Sequence, residues 1–296
     1  MRRNVEFESG GLTCRGWLYA PDDSGDEGAP TIVMAHGFSA VKEMYLTRFA
    51  EHFASAGFTV LLFDYRYFGD SDGEPRGRLF PWEQIEDYQN AITFARRQPE
   101  VDGERIGIWG TSYSGGHVLV VGALDRRVRC VVAQVPLIDG WKNLHRIVVD
   151  EDVAALLKAL EQDRERRFTS GEINYVPVVA EDRNCALPTA DSYEWFTRTH
   201  EEMAPNWENR VTLESIEQFI AYSPEAYIRR ISPTPLLIAV AENDILTPTD
   251  LAIEAYEQAL EPKKLVILPG GHFDAYTTGF DESAGAALDW FQRHLS

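Results

Sequence analysis

Gly110-Thr111-Ser112-Tyr113-Ser114-Gly115-Gly116 is the stretch on which the reading of this chain turns. Arg105-Ile106-Gly107-Ile108-Trp109 precedes it and reads as a strand; His117 to Leu124 follows it and continues a helix. A serine at such a strand–turn–helix junction fits the G-x-S-x-G nucleophile elbow, which presents the hydroxyl above the sheet edge. The sharp turn needs small residues two places before and two places after the nucleophile, because the strand and helix backbones nearly touch. Gly110 meets the first need. Ser114 replaces the usual second glycine and is still small, while Gly115 and Gly116 ease helix–sheet packing. A phosphate cradle of the G-x-x-x-x-G-K kind would need a lysine that is missing here. Ser114 is the alternative nucleophile, with Ser112 and Gly116 then at the tight positions.

A serine hydroxyl is a weak nucleophile until a base reaches it and a third group orients that base. After an elbow serine the acid comes next in the chain and the histidine last. Two histidines lie in the final segment. His272, in Pro269-Gly270-Gly271-His272-Phe273, directly follows a predicted strand, where a loop delivers it over the sheet edge. His294 ends an amphipathic helix and reads as exposed surface. Asp244 follows the apolar run Leu236 to Val240 and is the expected acid, with Glu242 and Asp139 as runners-up. An oxyanion hole needs two N–H donors. The residue after the nucleophile, Tyr113, supplies one. Phe38, in His36-Gly37-Phe38 after the strand Thr31 to Ala35, is expected to supply the other. His36 reads as a structural histidine.

Outward from the elbow, strands and helices alternate. Val5 to Leu12 and Cys14 to Ala20 read as a strand pair around Ser9-Gly10-Gly11, and Pro21 to Pro30 as a polar loop. Thr31–Ala35, Thr59–Phe63, Arg105–Trp109 and Val128–Val135 are buried-strand runs. Helical patterns at Glu43–Ala56 and Trp82–Gln98 lie between them. The alternation stops near Gly140 and resumes at Leu236. It continues with a helix over Thr249–Leu260, a strand over Leu265–Leu268 and a helix over Asp281–Leu295. This predicts an α/β fold with a mostly parallel sheet flanked by helices. The core domain spans 1–139 and 231–296, and 140–230 forms a mostly helical lid. The lid carries Trp141, Tyr193, Trp195 and Trp207 as candidate substrate-binding aromatics.

Composition narrows the partners. The 296 residues carry a formal net charge of −19, which repels phosphates and so disfavours nucleic acid and anionic membranes. No apolar run is long enough to cross a bilayer and no apolar signal segment follows Met1-Arg2-Arg3, so a cytoplasmic protein is expected. Cys14, Cys130 and Cys185 lack metal spacing and read as free thiols. No paired-histidine, calcium-loop or dinucleotide motif is found, so no metal or cofactor is expected.

His36-Gly37-Phe38, the elbow, Asp244-Ile245-Leu246-Thr247-Pro248 and Gly271-His272-Phe273 together resemble the α/β-hydrolase superfamily. The elbow, Pro262-Lys263-Lys264 and Gly270 to Tyr276 resemble a branch related to dienelactone hydrolases and polyketide transferases. The resemblance implies a serine-dependent acyl hydrolase or acyltransferase, without a cofactor, acting on a small-molecule ester or thioester. Ser at the elbow, where dehalogenases and epoxide hydrolases place Asp, speaks against those. The alternative keeps the fold without hydrolysis: a lyase, cyclase or isomerase using His272 as a base on a polyketide-like molecule.

Overall fold

The computed structural model describes residues 1–21 and 28–295; most of the polar loop expected over Pro21–Pro30 lies outside them. The chain opens with two antiparallel strands, β1 (Arg2–Ser9) and β2 (Leu12–Tyr19). Alternation begins at β3 (Ala29–Ala35) and runs through α1 (Leu46–Ser55), β4 (Thr59–Phe63), α2 (Pro81–Ala95), β5 (Val101–Thr111), α3 (Tyr113–Leu124) and β6 (Val128–Gln134). The interruption holds α4 (Gly140–Ile147), α5 (Asp150–Ser170), β7 (Tyr175–Val176), α6 (Ala190–Glu202), β8 (Val211–Thr212) and α7 (Leu213–Ile220). Then β9 (Leu236–Ala241), α8 (Thr249–Gln258), β10 (Lys263–Leu268) and α9 (Phe280–Leu295) restore the pattern.

Eight strands form one sheet in the order β1-β2-β4-β3-β5-β6-β9-β10. The β1–β2 and β2–β4 pairings are antiparallel, and every pairing from β4 to β10 is parallel. Parallel strands are covered on both faces, which is why β4 and β9 are buried throughout and, Thr59 apart, apolar. On one face, α1 buries Leu46, Phe49, Ala50 and Phe53, spaced as one helical stripe, beside Trp290 and Phe291 of α9. Each such fully buried aromatic contributes roughly 1.5–3 kcal/mol of transfer free energy. The other face is covered by α2, α3 and α8. From Tyr113 to Ala123, α3 is buried on every side, which fixes the elbow at the centre of the molecule.

The structure moves some expected boundaries. The first helix begins at Leu46, not Glu43, because Tyr45 takes a left-handed conformation (φ 62°) that cannot start a turn. The interruption is mostly helical, but β7 and β8 pair antiparallel where no strand was expected. His294 is half-buried, its ring 4.2 Å from that of Trp290, and is not the exposed residue its position suggested. Among the described residues no helix is long and apolar enough to cross a membrane. All three cysteines are free; Cys14 and Cys130 are buried and Cys185 is half-buried.

Candidate active site

The elbow is built by close approach. A Cβ on Gly110 would meet the Ser114 carbonyl oxygen at 2.2 Å, so only glycine fits two places before Ser112. Ser114 is small enough for the other position, and its hydroxyl is committed to Tyr65 Oη at 2.7 Å. That bond ties it into the core under α3, and Ser114 is fully buried with no histidine among its hydrogen-bond partners in the described residues. Ser112 itself has φ 56° and ψ −119°. A non-glycine residue held there costs about 1–3 kcal/mol, offset by the packing that holds the turn. Its N–H donates to Gln134 O at 2.9 Å and its carbonyl accepts Leu137 N–H at 2.9 Å.

The loop after β10 brings His272 to the serine. Its Nε2 lies 3.1 Å from Ser112 Oγ and its Nδ1 lies 2.7 Å from Asp244 Oδ2. All three groups are nearly buried. Asp244 follows β9, and its Oδ1 accepts the N–H groups of Leu246 at 2.9 Å and Thr247 at 2.8 Å. Thr247 was not singled out from the sequence. Its Oγ1 lies 3.0 Å from Asp244 Oδ2, 3.0 Å from Val135 O and 3.1 Å from His272 Nδ1. Val135 aims its carbonyl from φ 38°, a strained backbone for a β-branched residue. The available signal was local: an aspartate followed at two and three places by residues whose N–H groups its carboxylate can accept, with Pro248 just ahead of α8.

The runners-up for the acid are elsewhere. Asp139 caps α4 by accepting Lys142 N–H at 2.8 Å. Glu242 is exposed. His36 is buried with Nδ1–H donating to Gly37 O at 3.0 Å, and burial lowers its pKa to about 4, so it stays neutral. A Cβ on Gly37 would come within 3.0 Å of Ser112 Cβ, so this glycine lets the loop after β3 approach Ser112. Neither Phe38 N–H nor Tyr113 N–H has an acceptor among the described residues. Tyr113 also opens a 12-residue helix, whose N-terminus favours negative charge.

Above Ser112 lies a narrow cavity, partly open at its mouth. Met44, Leu46, Leu137, Leu187, Trp195, Phe196, Phe219, Leu246 and Phe273 make its wall largely apolar. Of the four expected lid aromatics, Trp195 lines it, stacked on Phe273 at 4.8 Å. The other three do not. Trp141 and Tyr193 face solvent, because they fall on the outer sides of α4 and α6. Trp207 is buried outside the cavity, where its Nε1–H donates to Ser39 O at 2.8 Å and so braces the loop one residue past Phe38. The wall residues that the sequence did not single out, such as Phe219 and Phe273, carry no pattern that tells cavity wall from core.

Glu43, Asp64 and Asp70 are close enough to hold a cation, but Lys42 already provides one. Its Nζ lies 2.6 Å from Asp64, 2.6 Å from Asp70 and 2.9 Å from Glu43.

Residues 15–274 match the family model described as X-Pro dipeptidyl-peptidase (S15 family). The chain is 35% identical to a thiohydrolase of Eupenicillium brefeldianum over 92% of this chain and 88% of that one. It is 32% identical to a polyketide transferase of a Penicillium species, over 100% of this chain and 97% of that one. The crystal structure of the α/β-hydrolase GrgF from Penicillium superposes with a TM-score of 0.86 at 31% identity, covering 100% of this chain and 99% of the other. The matches run across core and interruption alike. By its sequence and its fold, this chain belongs to the S15 hydrolase family of the α/β-hydrolase superfamily.

Proposed function

We propose that this chain is a serine-dependent acyl hydrolase or acyltransferase that works on an ester or thioester through an acyl-enzyme. One observation carries the reading: Ser112 Oγ, His272 and Asp244 form an unbroken hydrogen-bonded line at the floor of an apolar cavity. His272 Nε2 takes the Ser112 proton as Oγ attacks the carbonyl carbon. The N–H groups of Phe38 and Tyr113 hold the oxyanion. The imidazolium then passes that proton to the departing alcohol or thiol. Water or a second nucleophile next loses its proton to His272 and attacks the acyl carbon, and the imidazolium returns that proton to Ser112 Oγ as the acyl bond breaks. The names of the relatives, thiohydrolase and polyketide transferase, support acyl chemistry.

The family's name raises a peptidase reading. A dipeptidyl-peptidase has to hold the free ammonium group of the peptide's N-terminus, and a carboxylate in the wall is the usual partner for a buried cation. Among the described residues the cavity wall contains no Asp or Glu, which favours an uncharged acyl group. The charge of −19 supports a small-molecule substrate over nucleic acid or an anionic membrane.

Residues 140–230 are the lid in this reading, since Asn143, Leu187, Trp195, Phe196 and Phe219 roof the cavity from that segment. A short chromogenic ester tests the function. A fast release of about one equivalent of alcohol, followed by slower turnover, is the mark of acyl-enzyme chemistry. No release, together with no turnover of the matching thioester, would leave a non-hydrolytic α/β-hydrolase-fold enzyme as the better account.

A further inference from the structure

Most polar side chains reaching the cavity are committed to protein partners. His36 bonds Gly37 and Tyr65, Thr111 bonds Tyr276, and Thr247 bonds Asp244 and Val135. Tyr113 Oη and Trp195 Nε1 have no partner, but both atoms are sealed from the open space. Asn143 on α4 is different. It lines the cavity, is 3% exposed, and its side-chain amide has no hydrogen-bond partner among the described residues. Nor is that amide among the sealed atoms, and the residue lines the cavity.

An unpaired amide in such a wall penalises a plain hydrocarbon chain, which would strip its water and return no hydrogen bond. The same amide rewards an oxygen, because it offers two N–H donors and one carbonyl acceptor. Asn143 is 3% exposed, and the acyl chain is the half of the substrate that stays bonded to Ser112 in the enclosed space after the leaving group departs, so the acyl chain is the half assigned to it. We infer that Asn143 is a specificity-determining residue that reads a hydroxyl or ketone oxygen on the acyl chain. This rests on the acyl-enzyme reading above.

The test uses S-ethyl thioesters of octanoate and of octanoyl chains bearing a hydroxyl or ketone at successive odd carbons. The wild-type chain is expected to favour one oxygenated position by about 10- to 100-fold in kcat/KM, the discrimination of a site with a buried hydrogen bond to satisfy. Asn143→Leu, of similar shape, should lose that preference: kcat/KM for the favoured oxygenated thioester should fall to, or below, that for plain octanoyl thioester, and plain octanoyl should react at least as fast as with the wild type. Asn143→Ala serves as the second variant should leucine misfold. Equal use of plain and oxygenated chains by the wild type overturns the inference, as does a preference that survives both substitutions. A response confined to N-acetylcysteamine thioesters, whose amide lies on the leaving group, overturns it too. Failure of every thioester to acylate Ser112 instead removes the proposed function, and the inference with it.

Discussion

Asp244→Asn exchanges one oxygen for one nitrogen, and the surroundings decide which way the amide sits. Oδ1 accepts two backbone N–H groups, from Leu246 at 2.9 Å and Thr247 at 2.8 Å. An NH2 group placed there would face two donors and forfeit two hydrogen bonds, about 2 kcal/mol in all. The amide oxygen therefore keeps the Oδ1 place, and the NH2 group faces His272 Nδ1, which now lies 2.7 Å from Oδ2. Two N–H groups cannot bond each other, so His272 carries its proton on Nε2. That nitrogen then points a hydrogen at Ser112 Oγ, 3.1 Å away, and cannot act as the base. The expected loss in kcat is about 10⁴, or about 5.5 kcal/mol of barrier. Melting temperature should barely move, since shape and packing are retained. Steady-state and single-turnover hydrolysis of a chromogenic ester, beside a thermal melt, read both quantities. A loss below about tenfold would mean that His272 is not oriented by Asp244, and the argument would fail.

Thr247→Val removes the hydroxyl that lies against Asp244 Oδ2, His272 Nδ1 and the Val135 carbonyl; kcat should fall roughly 10- to 100-fold with KM little changed, and Thr247→Ser should restore it. An equal loss in the serine variant would assign the effect to packing. Gly110→Ala forces a methyl against the Ser114 carbonyl at 2.2 Å, so stability should drop by about 1–3 kcal/mol and turnover by about 10²; an unchanged melt would show that strand and helix are not in contact. Burial lowers the pKa of His117 to about 3. The unfolded chain, with a histidine pKa near 6.5, binds that proton first, so this contribution to stability is present above pH ~6.5 and declines as pH falls. His117→Gln should make the acid-side slope, from urea titrations at several pH values, shallower by about 1.4 kcal/mol per pH unit; an identical slope would refute the buried neutral state.

Local grammar made much of this molecule legible. Gly110 and Ser114 mark the elbow because the turn geometry tolerates only small residues, and the apolar runs before Asp244 and His272 place both at strand ends. The register of β9 and β10 beside β6 then brings them to the serine. The cavity wall was not legible in this way. Trp141, Tyr193, Trp195 and Trp207 look equivalent along the chain, yet only Trp195 turns inward, because orientation depends on how α4 and α6 settle over the sheet. Phe273 and Tyr276 were passed over because they follow His272 in a 3₁₀ turn that folds back over the site. Thr247 escaped notice because its role needs the strained Val135 carbonyl, 112 residues earlier in the chain.

The central claim is that Ser112 becomes acylated. Intact-mass measurement after treatment with a fluorophosphonate, followed by peptide mapping, tests it most directly. The account predicts one adduct per chain, located on Ser112 and absent from Ser112→Ala, which should also lose ester turnover by on the order of 10⁴ or more while melting like the wild type. An adduct on Ser114, or undiminished labelling of Ser112→Ala, would contradict it.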